Sequence, residues 1–140
     1  MSSYIAPTAT VGDKAQVYGY AKISRNAQVF GYAKISGNAQ VFGNAHVFSN
    51  ALVYDNARVG DNAYVSGAAE VFGNAWIYGH AQVFDNAHVY GVAQVWDNAM
   101  VSGAAHVYGY AQVYGKTILE GDVTIPSGYI RNIHWWSDIP

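Results

Sequence analysis

The sequence predicts an all-β fold, a solenoid of very short parallel strands stacked coil upon coil. Two regularities indicate it: an aliphatic residue falls at every sixth position from Ile5 to Ile125, and alanine follows four residues later from Ala9 to Ala111. In the resulting Ala-x-Val-x unit the two apolar residues lie two apart, so an extended strand points both to one face. A helix would need apolar spacings near 3.6, which a strict six does not provide.

The residues between these short strands predict tight corners. Nearly every unit carries Gly, Asp or Ser followed most often by Asn, as in Gly43-Asn44, Asp55-Asn56 and Asp85-Asn86. Asn and Gly tolerate the left-handed backbone region that such a corner needs, and Asn and Asp side chains form turn hydrogen bonds. Because no insertion interrupts the six-residue register, we expect no protruding loop anywhere in the repeat.

The six-residue register does not by itself give the number of hexads in one coil. A twelve-residue self-similarity is visible (YAKISRNAQVFG against YAKISGNAQVFG), but duplication explains it as well as geometry would. We favour three hexads per coil, with three aliphatic side chains meeting on the axis of a triangular, single-stranded solenoid. About seven 18-residue coils would then form a rod of roughly 30 Å at the usual strand spacing.

The periodicity divides the chain into two parts. The solenoid is predicted over residues 1–125, and the repeat stops at Pro126-Ser127-Gly128. Residues 126–140 are aperiodic and aromatic, with Trp135 and Trp136 as candidate contact residues. Since a solenoid exposes an open sheet edge at its end, this segment is predicted to be a C-terminal cap or a docking tail on a neighbouring subunit.

The hexad resembles a known repeat. Val59-Gly60-Asp61-Asn62-Ala63 and its relatives from residue 5 to about 125 resemble the hexapeptide repeat of left-handed parallel β-helix proteins. That group includes acyltransferases, γ-class carbonic anhydrases, and bacterial and phage proteins rich in YGNAxV units. The left hand is implied by the resemblance alone, because the general rule for parallel crossovers favours the right. The bacterial and phage proteins imply one use, binding and inhibiting another protein.

Aromatic residues in the column after each aliphatic are the main candidates for a binding surface. All five phenylalanines lie in this column. Stacking of every third hexad predicts three ladders: Tyr18, Ser36, Tyr54, Phe72, Tyr90 and Tyr108; Phe30, Phe48, Ser66, Phe84 and Ser102; and Phe42, Gly60, Tyr78, Trp96 and Tyr114, with Trp76 beside them. We expect the rings to stack and also to form an interface, because large apolar patches on protein surfaces mark interaction sites. Tyr54, Phe72, Tyr90 and Tyr108, flanked by His88 and His106, predict self-association as a dimer or trimer.

The histidines are the candidates for catalysis. The resemblance to acyltransferases implies a histidine base at a subunit boundary beneath a loop, and His46 is nearest by its position in a strand. His88 and His106 would stack on adjacent coils and could hold a metal, as the γ-class carbonic anhydrases do with three histidines, but a third ligand is not evident. We therefore predict no catalytic residue, no metal and no cofactor.

The composition of the chain narrows the remaining classes of function. Charged residues make up 11% of the 140-residue chain, the net charge is -2 and the pI is near 6.1, which does not indicate nucleic-acid binding. No apolar run approaches the roughly 18 residues of a membrane span, cysteine is absent, and a cytoplasmic location is the default expectation. The sequence favours a non-catalytic structural or interaction protein with a protein or carbohydrate partner. Two alternatives stay open: an acyltransferase-like or metal-dependent enzyme with an inter-subunit site, and a carbohydrate-binding module around Trp76, Tyr78 and Trp96.

Overall fold

Three parallel sheets wrap around one apolar core. The computed structural model describes residues 2–136, with the side chain of Trp136 excepted. Each strand pairs with the strand three hexads later, as Tyr4 does with Lys22 and Arg58 with Trp76. The predicted three-sided coil is thereby confirmed. Residues 2–136 contain no helix long and apolar enough to cross a bilayer.

The strands are two or three residues long, and consecutive strands enter different sheets. Sheet 1 contains β1 (Tyr4–Ile5), β4 (Lys22–Ile23), β7 (Gln40–Val41), β10 (Arg58–Val59), β13 (Trp76–Ile77), β16 (Gln94–Val95), β19 (Gln112–Tyr114) and β22 (Tyr129–Arg131). Sheet 2 contains β2 (Thr10–Val11), β5 (Gln28–Val29), β8 (His46–Val47), β11 (Tyr64–Val65), β14 (Gln82–Val83), β17 (Met100–Val101), β20 (Ile118–Glu120) and β23 (His134–Trp136). Sheet 3 contains β3 (Gln16–Val17), β6 (Lys34–Ile35), β9 (Leu52–Val53), β12 (Glu70–Val71), β15 (His88–Val89), β18 (His106–Val107) and β21 (Thr124–Ile125).

The core consists of the two apolar columns that the sequence predicts. Every aliphatic and alanine position from Ala21 to Val113 has 0% exposure. Fully burying a valine or isoleucine contributes about 1.5–3 kcal/mol, so the repeated column is the main source of stability. Thr117 replaces alanine in a late coil, and its buried hydroxyl donates a hydrogen bond to the Tyr114 carbonyl at 2.8 Å. In the first coil the column is less covered, and Ile5 is 43% exposed.

The corners differ from the expectation in one respect, namely which residue adopts the left-handed backbone conformation. The first corner residue adopts positive φ, at 58° in Asp55 and 65° in Gly43, and the asparagine that follows does not. Four of the aspartate carboxylates also bond between coils and not within their own turn. Each accepts a hydrogen bond at 3.1 Å from the amide of the glycine at the same corner of the next coil; the pairs are Asp55–Gly73, Asp61–Gly79, Asp85–Gly103 and Asp97–Gly115. These hydrogen bonds link adjacent coils along the corners of the triangular solenoid.

The end of the repeat is built from further strands. Strand β22 pairs with β19 one residue short of a full coil, so that Gln112 aligns with Tyr129. Strand β23 pairs with β20 two residues short of a full coil, so that Ile118 aligns with His134. Trp135 aligns with buried Leu119 and so occupies the column of the core aliphatics. Docking of this segment on a neighbour stays a prediction, as does the left hand of the coil.

Candidate functional site: the aromatic ladders

The longest unbroken stack of rings lies on sheet 3. We call Tyr54, Phe72, Tyr90 and Tyr108 the sheet 3 ladder. Successive ring centroids are 4.9, 4.8 and 5.0 Å apart, and the planes differ by only 3 to 5°. All four side chains are half-buried. The predicted stacking is confirmed, and it follows from the geometry, because adjacent coils lie at the separation that offset aromatic pairs favour.

A diagonal hydrogen bond joins this ladder to the neighbouring column of side chains. The Tyr54 hydroxyl donates a hydrogen bond to Glu70 Oε1 on the next coil at 3.0 Å. Burial, followed by this hydrogen bond and the nearby charges of Glu70 and Asp55, raises the pKa of Tyr54 to about 12. The hydroxyl of Tyr54 therefore stays protonated throughout the physiological range.

The predicted histidine pair lies beside the sheet 3 ladder. The rings of His88 and His106 are 4.8 Å apart and tilted by 36°. His106 also meets the Tyr90 ring edge-on at 6.4 Å, and His88 meets Phe72 at 6.5 Å. Glu70 precedes His88 in the same column. Across residues 2–136 no three His, Cys, Asp or Glu side chains are grouped closely enough to hold a metal ion. Through their ring contacts with Phe72 and Tyr90, the two histidines extend the aromatic surface.

Sheet 1 carries a second ladder with a glycine in it. Trp96 stacks between Tyr78, at 5.8 Å, and Tyr114, at 4.5 Å, and Trp76 packs against Tyr78 at 5.0 Å with a tilt of 45°. Tyr78 donates a hydrogen bond to Gln94 Oε1 at 3.1 Å. Burial, and then the charges of Asp97 and Asp61, raises the pKa of the Tyr78 phenol.

The glycine of that ladder is covered by a ring from the previous coil. A Cβ built on Gly60 would overlap Cε2 and Cζ of Phe42, so the Phe42 ring occupies the space that a side chain would need. Gly60 is buried as a result. The sequence placed Phe42 and Gly60 in one ladder but did not indicate that the ring fills the gap.

A recess opens beside Trp76 at the corner between sheets 3 and 1. It measures about 360 Å³ and is lined by Asn56, Arg58, Asn74 and Trp76. The Arg58 guanidinium lies 5.5 Å from the centroid of the Trp76 ring. Sequence reasoning missed Arg58, although its position one full coil before Trp76 places the two side by side. Trp76 Nε1 is buried and has no hydrogen-bond partner within the described part of the chain.

Sheet 2 holds the shortest stack and the remaining candidates. Phe30 and Phe48 stack at 4.9 Å. His46, the predicted nearest match to a catalytic histidine, lies against the Tyr64 ring at 4.7 Å and edge-on to Phe30 at 6.4 Å. Trp135 is 39% exposed at the end of this sheet. The side chain of Trp136 lies outside the described residues.

Comparison with known proteins supports the repeat class. The family model described as the YdcK beta solenoid repeat matches residues 93–109, a stretch just short of one coil. No curated protein matches the chain. Together with about seven stacked coils, the match defines a protein of the parallel β-solenoid repeat class.

Proposed function

We propose that this β-solenoid is a non-catalytic interaction protein that self-associates through the face of sheet 3. The observation that carries the proposal is the sheet 3 ladder, four stacked rings on consecutive coils without a gap. Phe72 lies at its centre and gains nothing from facing water. An extended apolar stripe along one face is the kind of surface that a second protein covers.

The energy available from this stripe is moderate. A ring buries about 150–250 Å² when it is fully covered, but Phe72 and Tyr90 each have a ladder neighbour on both sides. Only the area that stacking leaves exposed can contribute, at about 25 cal/mol per Å². After the entropy cost of association, we expect a dimer or trimer that forms in the micromolar range.

The experiment is a paired disruption. The double change Phe72→Ser and Tyr90→Ser should produce monomers in sedimentation equilibrium while the β-sheet circular dichroism is kept, because neither side chain points to the core. The matched control is Phe30→Ser with Phe48→Ser, which removes a stacked pair of the same spacing from sheet 2 and should leave association unchanged. A native protein that is monomeric at tens of micromolar would contradict the proposal, and so would equal loss of association in both variants.

The absence of catalysis is part of the proposal, and the corners support it. Strands β1 to β21 follow one another at a constant six-residue spacing, which leaves no loop to cover a substrate between Tyr4 and Ile125. Incubation with acyl-coenzyme A donors should give no transfer product. Stoichiometric zinc that survives dialysis and is lost on His88→Ala would overturn this part of the proposal.

The recess at Arg58 and Trp76 favours a second candidate, a carbohydrate ligand. Both faces of Trp96 are covered by Tyr78 and Tyr114, so the recess is the more accessible place for a sugar near this ladder. Its asparagines and arginine offer hydrogen bonds beside an aromatic wall. A glycan array would test this candidate, and any bound glycan should be lost on Trp76→Ala but kept on Trp96→Phe.

A further inference from the structure

The face of sheet 3 has a charge pattern that the other two faces lack. Its formally charged side chains are Lys34 and Glu70, and they lie one coil before and one coil after Leu52 in the same column. In the described part of the chain, the outward side chains of sheet 1 include cations but no carboxylate, and those of sheet 2 include a carboxylate but neither lysine nor arginine. The residues are Lys22, Arg58 and Arg131 on sheet 1 and Glu120 on sheet 2. Sheet 3 is thus the face with opposite charges placed symmetrically about a neutral centre.

This pattern discriminates between the two ways in which two copies can meet face to face about a two-fold axis. An axis parallel to the rods aligns equal coils, so Lys34 meets the partner's Lys34 and Glu70 meets the partner's Glu70. An axis along the strand direction at Leu52 reverses the rods. Lys34 of each copy then meets the partner's Glu70, which gives two equivalent pairs. Juxtaposed like charges disfavour the first arrangement, and complementary charges favour the second.

One further position on the face agrees with the reversed arrangement, and the like charges at its two corners are exposed to solvent. The small side chain of Ser36 would lie opposite the partner's Phe72, so the gap in the stripe receives a large apolar ring. At the corner between sheets 2 and 3, Asp13 would lie opposite the partner's Asp85 and Lys14 opposite the partner's Asn86; these side chains are exposed, so solvent screens the repulsion between the two carboxylates. Asp55 would approach its own copy at the exposed edge of the face, where solvent screens the repulsion.

We propose that the sheet 3 face binds a second copy of the chain in antiparallel orientation, with the two-fold axis at Leu52. This inference rests on the proposed self-association and specifies its geometry. Residues of the first five coils form the contact, and His106 and Tyr108 lie beyond it. The interface is closed, since each copy uses the same patch, so assembly ends at a dimer.

Single cysteines test the orientation cleanly, because the chain has no cysteine of its own. Sheets packed face to face lie about 10 Å apart, which is beyond the roughly 7 Å limit of a direct disulfide, so a short bismaleimide serves as the cross-linker. Leu52→Cys should then yield a covalent dimer on denaturing gels, because only residues near the axis meet their own copies. Lys34→Cys should stay monomeric on the gel. Gln28→Cys, exposed on sheet 2, is the control for random collision and should also stay unlinked.

The outcomes separate the orientation from the proposed function. Linking of both Leu52→Cys and Lys34→Cys would mean parallel rods and would overturn the inference while keeping self-association. A native dimer in which neither variant links would place the interface elsewhere and also overturn it. A native monomer in sedimentation would remove the proposed function itself. As a second readout, Lys34→Glu should weaken the dimer at least tenfold, and adding Glu70→Lys should restore it.

Discussion

The hydroxyl of Tyr54 donates a hydrogen bond to Oε1 of Glu70, and this 3.0 Å contact connects two coils diagonally. Tyr54 follows the buried Val53 of its own strand, whereas Glu70 precedes the buried Val71 of the next coil. The same relation recurs on sheet 1 between Tyr78 and Gln94. The ring column is therefore coupled to the polar column of the next coil, in addition to the stacking of rings on rings.

The Tyr54 contact predicts a loss of stability at alkaline pH. The folded-state pKa of about 12 lies above the ordinary value near 10, so the folded protein holds this proton more tightly than the unfolded chain does. The contribution is complete below about pH 10 and is lost as the pH rises through about 12. Denaturant unfolding of Tyr54→Phe should lack this part of the decline. The pH titration of phenolate absorbance near 295 nm checks the assignment, because wild type should have a component above pH 11 that Tyr54→Phe lacks. Identical titrations of the two proteins above pH 11 would contradict it.

Glu70→Gln separates the causes of the raised pKa. The amide keeps an oxygen that can accept the Tyr54 hydrogen bond but removes the negative charge. We expect the pKa of Tyr54 to fall below about 12 and to remain above the usual value, because burial is the largest cause and persists. A pH titration of the Tyr54 ring by NMR measures this change directly.

The sequence predicted the coil but not the bonds between corners, and the reason is physical. Burial of Val59 and Ala63 follows from a pattern that is read along the chain. The Asp85–Gly103 bond instead depends on the direction in which a carboxylate leaves a positive-φ residue, which periodicity does not encode. The strand at His134 was missed for a related reason, since its pairing falls short of a full coil and breaks the register on which the prediction depended.

A charge on the core column should prevent folding. Val59 has 0% exposure, so Val59→Asp would bury a carboxylate without a partner. The free-energy cost of burying an ionised group there is more than several kcal/mol. Arg58→Asp is the matched control, because this neighbour lies on the same strand with its side chain exposed. Circular dichroism should show an unfolded Val59→Asp chain and a folded control. A cooperative melt for Val59→Asp near the wild-type temperature would contradict the assigned core.

The corner aspartates should each contribute measurably to stability. Asp85 has φ 59°, and its Oδ2 accepts a hydrogen bond from the Gly103 amide at 3.1 Å. Asp85→Ala loses the bond and keeps a left-handed backbone that alanine disfavours by about 1–2 kcal/mol. Asp85→Asn keeps an acceptor oxygen and tolerates the backbone. We expect a thermal unfolding order of wild type, then Asn, then Ala, and an alanine variant as stable as wild type would refute the role of this bond.

The pairing of Phe42 with Gly60 can be measured by a thermodynamic cycle. Gly60 has no positive φ, so alanine fits its backbone, yet the added Cβ would overlap the Phe42 ring. Gly60→Ala should therefore expel the ring from its place over the sheet and destabilise the protein by about 1 kcal/mol, comparable to losing one partly buried aromatic contact. In the Phe42→Ala background no ring is displaced, and Gly60→Ala should be neutral or stabilising, because alanine reduces the entropy of the unfolded chain. Denaturant unfolding of the four proteins gives the coupling free energy. A coupling indistinguishable from zero would show that the ring does not depend on the glycine, whereas a coupling of about 1 kcal/mol would establish that Gly60 is selected by its neighbour one coil earlier.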